Sequence, residues 1–509
     1  MARHGAPELT NAQTDRAAGV LLAQACGDAL GVPYEFAALP PGGEQPRMIG
    51  GGPGPYRPGE YSDDTQLAAC VAQVAETGAD LTDETALDEI ARRFLGWLAG
   101  GAGHVGVQTR TVLARTDPDK PAASMREAAR ELHAETGRGA GNGALMRTAP
   151  VALAHLDEPE VMAEAARAVA ELTHADPLAG DACVLWCTGI ATAVREGTFD
   201  GIRAGLDLIA APSRDRWAQW LTEAEQSPPE RFNPNGFTVP ALQAAYAAVR
   251  RTPVPPDDPA HGSFPCLHLQ QALAAAVRAG DDTDTVAAIA GALLGARWGA
   301  SAVPFGWRRV VHGWPGLRAR DLVSLGVLSA RAGEPDGQGW PQCARMPYDD
   351  SPHPAVAHPH DDGVLLGGAG TVSDATAVVS LCRRGRNEAP ASGVAAADHV
   401  EVRLQDKTDP AENPNLEFVI DDAARAVAAL RDEGQRVLLH CVHGLSRTPT
   451  VATRYAALRG APVPDALAAV VAAIPGACPN PTLRAALDRL GGNPNRRRAR
   501  GGQPEDCAD

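Results

Sequence analysis

Between residues 15 and 332, apolar residues recur at three- and four-residue spacing. The pattern predicts helices over residues 15–30, 66–76, 85–98, 159–172, 181–195, 238–249, 267–279 and 285–296. Gly- and Pro-rich loops separate them, notably 40–59 and 253–262. No strand pattern stands out here, so residues 12–332 are expected to form an all-α domain. Residues 333–362 lack periodicity and are rich in Pro, Gly, His and Asp, the composition of a linker. His353, His358 and His360 fall in this stretch. No Cys or carboxylate pattern accompanies them, so they read as linker residues rather than metal ligands. From 363 to 490 the pattern alternates. Short apolar runs at 364–366, 377–381, 399–404 and 436–439 read as strands, and 423–430 and 450–458 as helices. That alternation predicts an α/β domain with a partly parallel sheet. The fold class expected is therefore multidomain: an all-α domain, a linker, an α/β domain, and a tail over 491–509.

Composition sharpens this picture. A chain of 509 residues is too long for one core. Hydrophobic residues at 44% suit packed domains, while aromatics at 4% and abundant Ala imply cores of Ala, Leu and Val. The formal charge of −16 argues against general affinity for nucleic acid or an anionic membrane, because both need a basic face. Arg496, Arg497, Arg498 and Arg500 follow Gly491 and Gly492 and read as a solvated tail. Ten Cys are scattered without a framework. Cys183 and Cys187, one helical turn apart in an apolar run, read as core, and a reduced, cytoplasmic setting is expected. The first residues are polar, with no apolar signal segment, and no run reaches the length of a membrane span, so no membrane partner is expected.

The strand-like Val437-Leu438-Leu439-His440 runs into Cys441-Val442-His443-Gly444-Leu445-Ser446-Arg447-Thr448, and a helix follows. A tight loop at a helix N-terminus aims backbone N–H groups and the helix dipole at one spot, which favours an anion there. The same field favours an ionised sulfur nucleophile at Cys441. Arg447 can hold two phosphate oxygens with its planar fork. Ser446 or Thr448 can hydrogen-bond the sulfur and ease its departure. The segment from about 363 to 490 resembles the dual-specificity branch of the protein tyrosine phosphatases. That resemblance implies phosphate monoester hydrolysis and an Asp general acid on an upstream loop. Asp406 directly follows the strand-like run and is the first choice. Asp409, nearer the next helix, is the alternative.

Three acidic clusters mark the first domain: Gly27-Asp28-Ala29-Leu30-Gly31 with Glu35 following, Ser62-Asp63-Asp64-Thr65, and Gly280-Asp281-Asp282-Thr283-Asp284-Thr285. Singly, such clusters are helix starts. Together, adjacent carboxylates repel unless a cation neutralises them. An all-oxygen set suits Mg²⁺ or Mn²⁺, and four or more carboxylates suffice for two ions. Gly141, Asn142 and Gly143 offer exposed backbone N–H groups that can cradle phosphate. The order of these elements, with Leu172-Thr173-His174 between them, resembles the ADP-ribosylglycohydrolases over about 15–332. That resemblance implies an all-α fold with a dinuclear Mg/Mn centre and hydrolysis of an ADP-ribosylated substrate. It implies metal ligands at Ser62, Asp63, Asp64, Asp282, Asp284 and Thr285. It also implies Glu35 near the distal ribose and Gly141, Asn142, Gly143 and His174 near the pyrophosphate. Asp281 receives no role. The competing reading is a module that binds ADP-ribose without turnover.

Overall fold

The computed structural model describes residues 7–39, 44–137, 139–349 and 351–491. The chain divides into two units: Met1–Pro253, His268–Val303 and Val310–Pro335 in the first, and Val254–Leu267, Pro304–Arg309 and Asp336–Asp509 in the second.

The first unit is built around the helix Asn11–Gly31. Thr10 starts it with a reciprocal cap: its Oγ1 accepts the Gln13 N–H at 3.2 Å, and its own N–H donates to the Gln13 side chain at 3.0 Å. From Ala17 to Gly31 the helix is buried all round, as its near-continuous Ala and Leu content requires. It lies along Thr283–Trp298, and missing Cβ atoms let the two backbones meet. At Gly31 an added Cβ would stand 2.5 Å from both the Asp284 N and the Thr283 O. This contact brings the acidic start of one helix against the end of the other.

The helices Asp63–Ala75, Glu84–Gly100, Pro159–Glu171, Pro177–Glu196, Thr238–Arg251 and His268–Arg278 form where the spacing predicts them. Val107–Arg115, Pro121–Thr136, Ala211–Gln226 and Ala319–Ala330 are additional. Two of these have thin apolar stripes: Ala211–Gln226 buries only Trp217, Leu221 and Ala224, and Val107–Arg115 only Thr109, Val112 and Leu113. A short ladder pairs His312–Gly313 with Leu317–Arg318. Pro177–Glu196 is long and apolar enough to cross a membrane, yet 83% of its most apolar window is buried inside the protein, as in a core helix.

The second unit carries a five-stranded sheet. Its order is Val356–His358, Asp361–Gly367, Val437–His440, Ala377–Ser380, His399–Glu401. The first pair is antiparallel and the other three pairings are parallel. Val437–His440 is central, buried at every residue, and leads directly into Cys441. One face of the sheet packs Leu365, Val378 and Leu438 with Val394. The helices Leu416–Asp432, Arg447–Leu458, Val463–Ala473 and Pro481–Leu490 complete the unit.

Three expectations are corrected here. The stretch 333–362 is not simply a linker, because it supplies strands at His353–Pro354, Val356–His358 and the start of Asp361–Gly367. His358 is buried, hydrogen-bonds the Ala452 O at 3.1 Å, and accepts the His360 N–H at 3.1 Å. Strands of two or three residues are too short to show alternation. The boundary at 332 also shifts, because Val254–Leu267 and Pro304–Arg309 belong to the second unit. The buried carboxylate of Asp422 draws Pro304–Arg309 in: it accepts the Phe305 N–H at 3.0 Å and pairs with Arg308 at 2.8 Å. The strand expected over 399–404 ends at Glu401. Its partner stops at Ser380, and only the Val402 N–H reaches back to the Ser380 O, at 2.8 Å. The basic tail at 496–500 lies outside the described residues.

Candidate active sites

In the first unit the acidic clusters meet where three helices end. Asp28, in the last turn of Asn11–Gly31, accepts the Ser62 N–H at 2.8 Å, the Thr65 N–H at 3.0 Å and the Thr65 hydroxyl at 2.7 Å. It thereby fastens the N-terminus of Asp63–Ala75. The Ser62 hydroxyl donates to Asp64 Oδ2 at 2.9 Å, while Asp64 Oδ1 is buried without a hydrogen-bond partner. Asp282 and Asp284 open the helix Thr283–Trp298. Two groups of carboxylate oxygens lie within 4.8 Å of one another: Asp28, Asp64 and Asp284, and Glu35, Asp282 and Asp284. Asp284 belongs to both.

Burial dominates the electrostatics of this cluster. It pushes Asp28 up to about 6, against the hydrogen bonds from Thr65 and Ser62. Burial, and then the carboxylates of Asp28 and Asp282, push Asp63 up to about 7. Burial, then Asp282 and Asp63, push Glu35 up to about 8. Asp64 and Asp284 are held well above the usual carboxylate range by burial and by neighbouring carboxylates. A crowded, buried, all-oxygen set with an unpartnered oxygen fits a hard divalent cation.

The expected residues fall into distinct places. Glu35, Asp64, Asp282 and Asp284 converge directly, while Asp63 stands outside both close groups. Ser62 and Thr285 bring hydroxyls to Asp64. Asn142 donates to Asp282 Oδ2 at 2.7 Å and to the Asn235 O at 3.2 Å, so it positions the acidic cluster instead of facing a ligand freely. His174 lies beside the glycines: an added Cβ on Gly141 would stand 3.1 Å from its Nε2, and one on Gly143 3.2 Å from its Cε1. Arg147 can only donate, and it does so to Thr173 Oγ1 at 2.7 Å. The Thr173 hydroxyl then donates to His174 Nδ1 at 2.7 Å, which leaves the proton on Nε2, toward the glycines. Burial and Arg147 keep this imidazole neutral. Asp281, at φ 63°, accepts the Asn235 N–H at 2.9 Å and is structural. Sequence reasoning gave Asp28 no ligand role. A carboxylate in the Ala- and Leu-rich stretch from Ala17 to Gly31, buried throughout, was the available signal.

In the second unit Cys441 is buried at the carboxyl end of the central strand, where the neighbouring strands run to either side. The Gly444 N–H donates to its Sγ at 3.2 Å. Gly444 has φ 79°, a left-handed turn that favours glycine. Arg447 opens the following helix. Its Nη1 donates to the Leu381 O at 2.8 Å and the Leu404 O at 3.0 Å, while its Nε is buried without a hydrogen-bond partner. Asp406 lies 3.7 Å from that Nε and accepts the Ser446 hydroxyl and the Asn480 amide, both at 2.7 Å. Asp409 instead caps Pro410–Glu412 through the Ala411 N–H at 2.9 Å. Thr448 is fully buried and donates its only hydroxyl proton to the Gly367 O at 3.1 Å, so it anchors the loop and does not point at a ligand.

A chain of hydrogen bonds reaches the cysteine from behind. The Ala391 N–H donates to His399 Nδ1 at 2.9 Å, so the His399 Nε2–H donates to Ser380 Oγ at 2.8 Å. The Ser380 hydroxyl donates to His440 Nε2 at 2.7 Å, and the His440 Nδ1–H donates to the Cys441 carbonyl at 3.1 Å. Burial, then Arg384, push His440 down to about 4, so it is neutral at pH 7.

The profile of the ADP-ribosylglycohydrolase family matches residues 9–335, and the chain belongs to that family. It is 28% identical over 299 residues to the ADP-ribosyl-(dinitrogen reductase) glycohydrolase of Rhodospirillum rubrum, covering 58% of this chain and 89% of that protein. It is 27% identical over 300 residues to the ADP-ribosylarginine hydrolase Tri1 of Pseudomonas putida, covering 58% of this chain and 73% of that protein. The solved structure of human DUSP28 covers 28% of this chain and 96% of its own, at 25% identity and a TM-score of 0.23.

Proposed function

We propose that the chain is a bifunctional hydrolase. The first unit cleaves ADP-ribosyl bonds with the aid of Mg²⁺ or Mn²⁺, and the second hydrolyses phosphate monoesters through Cys441. The first activity rests on family membership and on the overlapping carboxylate groups that share Asp284, with Asp64 Oδ1 of the first group buried and without a hydrogen-bond partner. Ser62, Asp63, Asp64, Asp282, Asp284 and Thr285, joined by Asp28, would hold the ions. Bound divalent ions supply Lewis acidity to sugar hydroxyls and lower the pKa of water. The protein's part is placement. Asn142 holds Asp282, and Glu35 is a member of the second carboxylate group. The His174 Nε2–H and the glycine amides receive pyrophosphate oxygens. Water adds to the anomeric carbon as its bond to the acceptor breaks, and the acceptor leaves with a proton.

The phosphatase reading is carried by the sulfur of Cys441, with the Gly444 N–H on it and Arg447 and Asp406 at the same loop. The sulfur attacks phosphorus, and Asp406 gives its proton to the departing oxygen. Water then releases phosphate from the sulfur.

One experiment separates the two. ADP-ribose release is followed from an ADP-ribosylarginine peptide, and phosphate release from an aryl phosphate, each with Mg²⁺ and with excess chelator. Asp64→Asn is expected to abolish the first and spare the second, and Cys441→Ser the reverse. Chelator-resistant ADP-ribose release would remove the metal role. A full-rate Cys441→Ser phosphatase would remove the thiol mechanism.

A further inference from the structure

Tyr56 lies between the helices Asn11–Gly31 and Asp63–Ala75. Its side chain is packed in: the residue is only 7% exposed, and a Cβ on Gly103 would stand 3.4 Å from its ring. The loop is pinned. The Tyr56 carbonyl accepts the Gly51 N–H at 2.9 Å, and Gly52, at φ 75°, lies against the carbonyl of Val32, which caps the helix bearing Asp28. Yet the Tyr56 hydroxyl is buried with no hydrogen-bond partner. Tyr61, nearby and also buried, donates to the Trp314 O at 3.0 Å, so an unmatched hydroxyl is not the rule for this region. A buried donor left unmatched costs stability. The loop that carries Tyr56 runs from the helix end bearing Asp28 to the helix start bearing Asp63 and Asp64, and burial, then the carboxylates of Asp63, Asp28, Asp284 and Asp64, push its hydroxyl well above the ordinary tyrosine range. Its O–H is therefore a donor held beside the acidic cluster.

The carboxylates decide what such a donor meets. Four of them repel phosphate, and the phosphates have the His174 Nε2–H and the glycine amides elsewhere in the site. The part of an ADP-ribosyl group that is neutral, compact and rich in acceptor oxygens is a ribose. We propose that Tyr56 determines specificity at the glycohydrolase site by donating its O–H to a hydroxyl oxygen of the ribose that carries the scissile bond. This rests on the glycohydrolase reading of the first unit. It makes Tyr56 one of the groups that tell ADP-ribose from ADP, which lacks that ribose.

Tyr56→Phe in the full-length protein keeps the ring and removes only the hydroxyl. Binding of ADP-ribose and of ADP, both with Mg²⁺, is measured by titration calorimetry, and folding by thermal melting. The expected result is about a tenfold weaker Kd for ADP-ribose, an unchanged Kd for ADP, and a melting midpoint no lower than wild type. An unchanged Kd for ADP-ribose, or an equal loss for ADP, overturns the proposal. If wild type itself fails to bind ADP-ribose, the glycohydrolase reading falls and takes this one with it. If wild type binds and only the comparison fails, that reading stands. Should Tyr56→Phe fold poorly, wild type decides the matter by difference spectroscopy. ADP-ribose, and not ADP, is expected to shift the tyrosine absorption band, and the absence of that difference overturns the proposal.

Discussion

Gly31→Ala tests how the acidic site is assembled. Gly31 has φ −78° and ψ −38°, values open to any residue, so the glycine is required there only by crowding. An alanine Cβ would stand 2.5 Å from two backbone atoms, the Asp284 N and the Thr283 O. Ordinary contact begins near 3.5 Å, so the two helix ends must part by about 1 Å. No side-chain rotation can relieve a clash between backbones. Overpacking of this kind costs about 1–3 kcal/mol. The displaced residue is Asp284, the carboxylate common to both acidic groups. A misplacement of about 1 Å near reacting groups is worth roughly a hundredfold in rate. Gly31→Ala is therefore expected to weaken Mn²⁺ binding, measured by titration calorimetry, by at least about tenfold. It should slow ADP-ribose release by about a hundredfold, with aryl phosphate hydrolysis unaffected. Gly96→Ala is the matched control. Gly96 lies inside Glu84–Gly100 with nothing near an added Cβ, so alanine should stabilise by about 0.5–1 kcal/mol through helix propensity. Unaltered Mn²⁺ affinity in Gly31→Ala would refute the reasoning, as would an equal loss in Gly96→Ala.

Two further predictions concern the second unit. His440 is held near 4, below its ordinary 6.5, so between those values the folded state binds fewer protons than the unfolded chain. Its stabilising contribution is full above about pH 6.5 and declines as pH falls toward 4, by about 2 kcal/mol at pH 5. Amide hydrogen exchange in Val437–His440 at pH 7 and pH 5 should show this loss in wild type and a smaller one in His440→Gln; parallel losses would refute it. Asp406→Asn should slow alkyl phosphates by roughly a hundredfold or more and aryl phosphates less, because good leaving groups need little protonation. Asp409→Asn should show no such dependence on the leaving group, and the opposite pattern would move the general acid to Asp409.

The elements legible in the sequence were those with long, strong periodicity or with punctuation. The run 15–30 and the SDDT and DTDT helix starts are of this kind, and so is the strand–loop–helix around Cys441. What escaped was written in distant partners. Asn142 reads as a loop residue between glycines, and nothing local says that its amide is committed to Asp282. Thr448 sits one residue from Arg447 and looks available, yet its proton goes to Gly367, far back in the chain. His358 looks like linker because its strand is three residues long and its burial comes from neighbours. The sequence favours Asp406 over Asp409 only because it directly follows the strand-like run, and it does not show that their partners differ, Ser446 for Asp406 and a backbone N–H for Asp409.

The two sites use helix N-termini in opposite ways. In the first unit the helix starts carry their own anions: Asp63 and Asp64 in the first turn of one helix, Asp284 in the first turn of another. Helix dipoles favour those charges by about 0.3–1 kcal/mol each, up to about 2 when partly buried. Burial and mutual repulsion nonetheless win, since the carboxylates are pushed up, Asp63 to about 7. The field of the helices is thus outweighed, and on the proposed reading bound cations would neutralise what the helices do not. In the second unit the first turn of Arg447–Leu458 holds no acidic residue. Its dipole, the Gly444 N–H and the unpartnered Arg447 Nε are left uncompensated by the chain, apart from Asp406 at the edge of the loop. On the proposed reading an arriving phosphate would meet a field already oriented for it, while the crowded carboxylates of the first unit would favour cations and neutral hydroxyls over anions.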